Sequence, residues 1–256
     1  MSKSGTILLT GGTGLIGQVL AHELIEAGYG LILTGRDKCR LESVIDRLRR
    51  DSDVAQVTPL VMDLSSPGSV NRLEEFLDET SLSPDGMVHC ARNLEYFRQD
   101  LKGGGSRSDW VGEFNLDVIV PCDFALALVN RDNSRLRSVI IVSSMYGVTP
   151  PKMALYDDPS QIPPIHYGVC KAAQLHLARE LSVRLAPRGV RVNAVSYGGV
   201  RGRVDSAFEK RYAQQCPARR MLDQSDLGGP VLFLLSEKSA ATTGHNLLAD
   251  GGWTIW

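Results

Sequence analysis

The sequence predicts one domain, residues 1–256, with a doubly wound α/β fold in which helices cover both faces of a seven-stranded parallel sheet. Short apolar runs alternate with longer helical patterns from the first residues onward. Several of these runs are apolar almost throughout, as expected of strands that are covered on both faces. The 256 residues, 43% of them hydrophobic, suffice for one large core, and no linker or repeat divides them.

Seven short segments are predicted as strands, and a helical pattern follows each of the first six. The predicted strands are TILLT (6–10), GLILTG (30–35), VTPLVM (57–62), GMVHCA (86–91), SVIIVSS (138–144), VRVNAVS (190–196) and HNLLAD (245–250). The predicted helices cover 15–28, 37–51, 69–80, 108–130, 167–187 and 223–237. The first helix should end at Gly28, since glycine readily adopts the left-handed conformation that ends many helices.

Composition excludes several classes of function. The formal net charge of −1 gives no general attraction to nucleic acid or to a membrane surface. The five cysteines are scattered without a Cys-x-x-Cys pair, and no cluster has metal-ligand spacing. The longest apolar runs, such as VLFLL at 231–235, are too short to cross a bilayer, and a strand begins too early for a signal peptide. We therefore expect a cytoplasmic protein that binds small molecules and no metal.

The segment TGGTGLIG (10–17) follows the first strand and opens the first helix, which is the context of a dinucleotide-binding turn. Gly11 permits the tight turn, Gly14 leaves the backbone bare beside a pyrophosphate, and Gly17 lets the helix pack on the strand. The helix N-terminus then offers N–H groups to the phosphates. The residues expected to bind the cofactor here are Gly11, Thr13, Gly14, Leu15, Ile16 and Gly17.

The end of the second strand favours NADP(H) over NAD(H). An NAD site places Asp or Glu there to bind the ribose 2′-hydroxyl, but this chain has Gly35 followed by Arg36. A guanidinium group matches a 2′-phosphate, although Arg36 is also explained as a solvated residue at a helix start. Asp63 and Leu64 follow the third strand and are expected beside the adenine ring; Asp63 is equally suited to a position near a helix N-terminus.

Tyr167 and Lys171 lie four positions apart in IHYGVCKAA (165–173), so they share one face of a predicted helix. A neighbouring ammonium group stabilises a phenolate, which makes such a pair suitable for proton transfer. The chain has seven Tyr and seven Lys, however, so the spacing alone carries little weight. The interpretation depends on the surrounding sequence.

The whole set of features resembles the short-chain dehydrogenase/reductase family over nearly the whole chain, from Gly5 to Trp253. Besides the glycine turn, the shared features are Asp63-Leu64, HCAR (89–92), Asn115, Ser144, Tyr167, Lys171, RVNAVSYGG (191–199) and TGHNLLADGGW (243–253). The resemblance implies a single-domain Rossmann fold, a nicotinamide cofactor and a homodimer or homotetramer formed through the helices at 108–130 and 167–187 and the C-terminal strand.

The same resemblance implies a role for each residue of the reaction site. Tyr167 would exchange a proton with the substrate oxygen, and Lys171 would support Tyr167 and hold the nicotinamide ribose. Ser144 would hydrogen-bond the carbonyl oxygen; its neighbour Ser143 is a rival, but the Ser-x-x-Gly pattern matches Ser144. Asn115 would hold a water that links Lys171 to solvent. Three further residues would contact the cofactor, namely Cys90, Ala91 and Val200, whereas His89 and His166 are interpreted as structural.

The chain departs from the family at the substrate end. Arg92 stands where the family has a glycine, and a proline-rich insert separates Ser144 from Tyr167 by 23 positions. These features resemble a subgroup from bacterial surface-sugar and flagellin-modification pathways, which implies a sugar substrate that carries phosphate or a nucleotide. The segments 145–166 and 200–220 are then substrate-side loops. The candidate substrate-binding residues are Arg92, Tyr146, Arg201 and Arg203. The guanidinium groups of Arg92 and of Arg201 or Arg203 would meet the negative charge of such a substrate.

These observations favour an NADP(H)-dependent oxidoreductase that interconverts a ketone and a secondary alcohol on a sugar or sugar derivative. An alternative is a sugar-nucleotide epimerase or dehydratase that retains its cofactor and returns the hydride within each cycle. A third is a non-catalytic protein that senses NADP. The intact Ser, Tyr and Lys set argues against the third, because a sensor needs no proton donor.

Overall fold

The computed structural model describes residues 5–51, 56–99, 104–202 and 204–256. Its centre is one seven-stranded sheet with all neighbouring strands parallel, in the order β3-β2-β1-β4-β5-β6-β7. The strands are β1 (Thr6–Thr10), β2 (Gly30–Gly35), β3 (Val57–Val61), β4 (Gly86–His89), β5 (Ser138–Ser144), β6 (Arg191–Tyr197) and β7 (Asn246–Ala249). The strand order reverses between β1 and β4, and ligands bind at such a switch point in doubly wound folds. The predicted fold class is confirmed.

Helices lie on both faces of this sheet. The α-helices in the described residues are α1 (Leu15–Glu26), α2 (Lys38–Asp51), α3 (Ser69–Thr80), α4 (Arg107–Phe114), α5 (Val120–Asn130), α6 (Ile165–Leu185), α7 (Ser206–Gln214) and α8 (Gly228–Leu235). The prediction that Gly28 ends the first helix is confirmed, since Gly28 has φ of +87° and its N–H bonds to the carbonyl of Ile25. Helix α7 was not predicted, and the helix predicted at 223–237 begins later, at Gly228.

Alternating side chains of the strands form two apolar layers. Leu8 of β1 points into the layer covered by α3, α5 and α6, whereas its neighbours Ile7 and Leu9 point into the layer covered by α1, α2 and α8. All three side chains are at most 2% exposed. Because β1 is covered on both faces, the three residues at its centre are all apolar, as the fold prediction required. No helix in the described parts of the chain is long and apolar enough to cross a membrane.

The helix predicted at 108–130 is interrupted by a π-helical turn, Asn115–Ile119, between α4 and α5. Pro121 explains the break, because proline has no N–H to donate to the carbonyl four residues earlier and its ring crowds that carbonyl. That carbonyl belongs to Asp117, and the side-chain amide of Gln174 donates to it instead, at 3.0 Å. Helix α6 therefore replaces the hydrogen bond that Pro121 removes, and it fixes the position of Asp117.

The proline-rich insert is an irregular segment with short 3₁₀ turns at Met145–Gly147, Met153–Leu155 and Pro159–Gln161. It packs against α7: Leu155 is fully buried, and Arg211 of α7 donates to the Leu155 carbonyl and pairs with Asp157. A small apolar cluster joins the two segments to the C-terminus; its buried members are Met145, Leu155, Tyr212, Cys216, Met221 and Trp253.

The two tryptophans of the C-terminal segment GGWTIW differ in exposure. Trp253 is only 1% exposed and stacks on Tyr212 at 4.4 Å between ring centres. Trp256 alone of the pair is exposed. The last turn of the chain therefore belongs to the packing of the insert and α7.

Candidate active site

The carboxyl ends of the central strands surround a cavity of ≈ 360 Å³. This volume lies within the range of small-molecule and cofactor sites. Most of the predicted site residues line it, although they come from distant parts of the sequence. These are Gly11, Thr13, Gly14, Leu15, Ile16, Gly17, Arg36, Asp63, Leu64, Cys90, Ala91, Arg92, Tyr167 and Lys171.

The glycine turn has the geometry of a phosphate cradle. Gly11 has φ of +71°, and a Cβ atom at Gly17 would lie 2.1 Å from the Gly11 carbonyl oxygen, so the helix packs tightly on the turn. A Cβ at Gly14 would meet only that same oxygen, at 3.3 Å, so Gly14 faces open space. The first turn of α1 has no acidic residue and no side-chain cap. Its N–H groups and positive dipole end therefore fit a pyrophosphate.

Arginine side chains line the cavity at the end of β2. Arg36 is exposed and donates to the Asn93 side chain at 3.4 Å, and Arg40 lies beside it on the cavity wall. The hydroxyl of Thr34 is buried and has no hydrogen-bond partner among the described residues, although it lines the same space. Asp63 is exposed and accepts from the Ser65 backbone at 2.9 Å. This end of the cavity therefore carries two cations and a buried hydroxyl that has no partner among the described residues.

Two ionisable groups after β4 are kept neutral by burial. His89 accepts or donates one hydrogen bond with Thr10 at 3.0 Å, and burial, helped by Lys171, lowers the pKa of His89 to about 3. Burial also raises the pKa of Cys90 to about 12. Neither group can exchange protons near neutral pH. His166 is also buried; its ring bonds to the Tyr96 carbonyl at 2.7 Å and packs near Trp110.

Lys171 is held inside the protein by two side chains. Both carboxylate oxygens of Asp117 lie 3.1 Å from its Nζ atom, and Gln174 Oε1 accepts from Nζ at 3.2 Å. Lys171 is 5% exposed, and Asp117 and Gln174 are fully buried. Burial is the largest single influence and would lower the pKa of Lys171, but Asp117, Tyr167 and Glu113 together outweigh burial and raise it. The ammonium group therefore stays charged, 5.7 Å from the centre of the Tyr167 ring.

Ser143 and Ser144 end β5 next to each other and have different partners. Ser143 donates to the backbone carbonyl of Lys171 at 3.0 Å, so its proton holds α6 against the sheet. Ser144 accepts from the backbone N–H of Tyr146 at 3.2 Å, and its own proton is not used by that bond. Only Ser143 lines the cavity directly. The hydrogen bonds nevertheless favour Ser144 as the hydroxyl that can donate to a ligand.

Arg92 lies against two aromatic rings at the reaction site. Its guanidinium carbon is 4.2 Å from the centre of the Phe97 ring and 4.4 Å from the centre of the Tyr167 ring. These rings meet edge to face at 5.2 Å. The Nε and Nη2 atoms are buried without a hydrogen-bond partner in the described residues. A cation held this way on Tyr167 favours negative charge in the cavity.

Several predicted residues lie away from the cavity wall. Asn115 begins the π-helical turn and donates to the Ser65 carbonyl at 3.5 Å, so the group that contacts Lys171 is Asp117. Tyr146 shares a hydrogen bond with Tyr156, and Val200 forms an isolated bridge with Leu222. Arg201 is paired with Asp223 and Glu209, which compete with any anionic ligand. Arg203 lies outside the described residues.

Three side chains near the reaction site were not predicted from the sequence: Asp117, Gln174 and Glu113. Glu113 is 1% exposed and neither of its oxygens has a hydrogen-bond partner among the described residues. The available sequence signal was Pro121, which predicts a break in the helix. Such a break leaves a backbone carbonyl that needs another hydrogen-bond donor. Within the described residues, no three His, Cys, Asp or Glu side chains converge as metal ligands.

Comparison with known proteins identifies full-length relatives. A family model described as enoyl-(acyl carrier protein) reductase matches residues 14–254. The post-translational flagellin modification protein A of Campylobacter coli is 34% identical over 263 residues, covering 100% of each chain.

Two solved structures show the same fold. A short chain dehydrogenase from Leptospira borgpetersenii with bound NAD+ has a TM-score of 0.85 and 24% identity, covering 99% of this chain and 94% of its own. A gluconate 5-dehydrogenase from Burkholderia cenocepacia, in complex with NADP and tartrate, has a TM-score of 0.84 and 20% identity, covering 99% and 96%. Since one holds NAD+ and the other NADP, the fold itself does not select between these nucleotides.

Proposed function

The chain belongs to the short-chain dehydrogenase/reductase family, and we propose that it uses NADP(H) to interconvert a ketone and a secondary alcohol. The proteins that it resembles include dehydrogenases and reductases. The observation that carries the proposal is the buried ammonium group of Lys171, one helical turn beyond Tyr167, in the cavity that also contains the glycine turn. A bound nicotinamide cofactor supplies or accepts the hydride there.

Tyr167 moves the proton that accompanies the hydride. In the reductive direction, the carbonyl carbon gains the hydride while the carbonyl oxygen takes the Tyr167 proton. The O–H bond of the phenol breaks, the O–H bond of the product alcohol forms, and a phenolate is left. Lys171 and Arg92, both beside the Tyr167 ring, stabilise that negative charge. The Ser144 hydroxyl donates to the carbonyl oxygen as negative charge develops on it.

NADP(H) is favoured at the nucleotide end. Arg36 and Arg40 stand where a 2′-phosphate would lie, and Gly35 occupies the position of the acidic residue that binds an unphosphorylated ribose. The buried hydroxyl of Thr34, which has no partner among the described residues, lies close by. Together these groups offer two cations and a donor to a phosphate, on a wall that also carries the carboxylates of Asp63 and Glu95.

Tyr167→Phe tests the reaction. Turnover of keto-sugars with NADPH should fall by about 10²–10⁴-fold, the usual contribution of a general acid. The affinity for NADP+ should change little, because the ring is kept. Tyr29→Phe, outside the cavity wall, is the matched control and should match the wild type. Full activity of Tyr167→Phe would exclude the mechanism. Cofactor that copurifies and is not consumed during substrate conversion would instead indicate the retained-cofactor epimerase.

We further propose a sugar-like substrate with an anionic group, bound through Arg92. The guanidinium group lines the cavity, and two of its nitrogens have no partner in the described residues. Arg92→Ala should raise the KM for the substrate far more than the KM for NADPH. Arg92→Lys keeps the charge but loses the planar donor pair, so it should restore part of the loss. An unchanged substrate KM in Arg92→Ala would reject this assignment.

Assembly as a homodimer or homotetramer is also proposed. The outer faces of α4, the π-helical turn and α6 expose apolar side chains that soluble monomers rarely present together. These side chains are Val111, Phe114, Ile119, Val169 and Val183. Sedimentation of the wild type and of the double variant Phe114→Glu with Val169→Glu would test this assembly. The double variant should sediment as a monomer, because charges on this face should separate the subunits.

A further inference from the structure

We infer that Glu113 and Asp117 form a proton path that connects Lys171 with the solvent near the N-terminal end of α4. The inference rests on the proposed function, because it concerns the proton that restores Tyr167 after each reduction. The side-chain amide of Asn115, the residue expected to serve that purpose through a water, donates to the Ser65 carbonyl at 3.5 Å. The carboxylates provide a direct route through the chain's own side chains.

The path follows one face of the helix. Asp109, Glu113 and Asp117 are spaced four residues apart, which places successive side chains next to each other. Asp109 is at the surface, where it caps α4 with Ser106. Glu113 is 1% exposed, and Asp117 is fully buried with both oxygens 3.1 Å from Lys171 Nζ. The three carboxylates thus lead from the surface to the ammonium group.

Glu113 is the unusual member of this series. It is buried, yet neither carboxylate oxygen has a hydrogen-bond partner within the described residues. Buried polar groups are normally bonded, and a glutamate that served only for packing would be replaced at less cost by glutamine or leucine. This unbonded acid lies within electrostatic reach of Asp117 on one side and Asp109 on the other.

The electrostatic surroundings keep a proton on Glu113 near neutral pH. Burial, followed by repulsion from Asp117, raises the pKa of Glu113 to about 7. Lys171 and Arg92 oppose this rise, and Asp109 adds to it. These are the charged groups that face Glu113 from α4, the π-helical turn, α6 and the segment after β4. A carboxyl group with a pKa near the working pH can both give and take a proton.

The proton balance of one reduction is as follows. Tyr167 loses its proton to the product alcohol and becomes a phenolate. Lys171 passes a proton to the phenolate. Glu113 then gives its proton to the Asp117 carboxylate, and Asp117 passes that proton on to Lys171. Glu113 is left ionised and takes one proton from solvent beside Asp109. One solvent proton enters for each alcohol formed, and oxidation reverses every transfer.

The first experiment needs neither substrate nor cofactor. Infrared difference spectra of the apoprotein between pH 5 and pH 9 should show a protonated carboxyl band that titrates near pH 7. Glu113→Gln should remove this band. Asp123→Asn, which replaces an exposed acid of α5, is the matched control and should keep it. A spectrum in which Glu113→Gln removes no titrating band would overturn the inference, while the proposed oxidoreductase would stand.

The second experiment measures turnover with NADPH and a reducible keto-sugar. Glu113→Gln should lower kcat by about tenfold while KM stays within about twofold, since the side chain acts through Lys171 and contacts no ligand. The kcat of Glu113→Gln should also no longer depend on a group that titrates near pH 7. Glu113→Asp should restore part of the kcat and part of this pH dependence. A kcat and pH profile equal to those of Asp123→Asn would overturn the path. If the wild type reduced none of the carbonyl compounds tested, the proposed function would be refuted instead. The infrared titration would still show whether Glu113 holds a proton near pH 7.

Discussion

The two ends of the cavity are built in different ways. At the nucleotide end, the backbone of the turn after β1 and the free N–H groups of α1 provide the binding surface. At the reaction end, buried side chains from distant segments hold each other: Asp117 and Lys171 are 54 positions apart. A backbone site tolerates change in most side chains but not the addition of a Cβ atom. A side-chain site is sensitive to the loss of any single partner.

The largest expected effect lies at the reaction end, in Asp117→Ala. Removing the carboxylate leaves Lys171 buried without its counter-charge, which typically costs about 3–5 kcal/mol of unfolding free energy. Denaturant unfolding of Asp117→Ala against wild type measures it. The double variant Asp117→Leu with Lys171→Met should recover most of that stability without activity, because neither charge remains. A loss under 1 kcal/mol in Asp117→Ala would show that the ion pair does not organise this end.

The next effect is a dependence of stability on pH that Glu113 imposes. Burial raises the pKa of Glu113 from 4.5 to about 7, so the folded protein holds a proton that the unfolded chain releases. The stability associated with the neutral acid is complete below pH 4.5 and is lost as the pH rises through about 7. At about 1.4 kcal/mol for each pKa unit, the loss reaches about 3 kcal/mol at most.

Glu113→Gln should not show this loss. Its melting temperature should therefore rise relative to that of the wild type as the pH increases from 5 to 8, measured by calorimetry at fixed ionic strength. Parallel curves for the two proteins would mean that Glu113 titrates as an ordinary exposed acid. The nucleotide end has no buried acid in its first helical turn, so only the reaction end should produce this signal.

At the nucleotide end, substitutions at two glycines should distinguish an effect on stability from an effect on NADP+ binding. Gly17→Ala places a Cβ atom 2.1 Å from the Gly11 oxygen and should cost about 1–3 kcal/mol of stability. Gly14→Ala meets only a contact at 3.3 Å, so its melting temperature should stay close to that of the wild type while NADP+ affinity falls. Calorimetry and titration of NADP+ test both. Normal NADP+ binding by Gly14→Ala would contradict a backbone-built phosphate site.

The smallest expected effect belongs to the side chains of that same end. Arg36→Ala should weaken NADP+ by about tenfold, or ~1.4 kcal/mol, because an exposed charge contributes little in water. NAD+ affinity should be unaffected, which serves as the internal control. Lys38→Ala, an exposed cation two residues later, is the matched variant. Equal weakening of both nucleotides by Arg36→Ala would indicate general attraction rather than recognition of the 2′-phosphate.

The difference between the two ends also explains what could be predicted from the sequence. The strands and the glycine turn depend on local patterns, so their positions were predicted within about two residues. Helix α7 was missed because its nine residues are stabilised mainly by distant packing, in which Tyr212 stacks on Trp253. Asp117 was missed because a regular helix over 108–130 would not give it this position; the π-helical turn does.

Pro121 has a consequence that extends beyond the helix it interrupts. Proline has neither a charge nor a hydrogen-bond donor, yet its presence decides which residue contacts Lys171. Gln174 must turn its amide toward the carbonyl of Asp117, and this contact holds both the carbonyl and the carboxylate of Asp117 against α6. A relative with an ordinary residue at this position would regain the missing hydrogen bond and would have no need of the glutamine. Among relatives, the residue at position 121 should therefore vary together with the residues at positions 117 and 174. Proline at position 121 would then mark the members of the family that place a carboxylate next to the lysine.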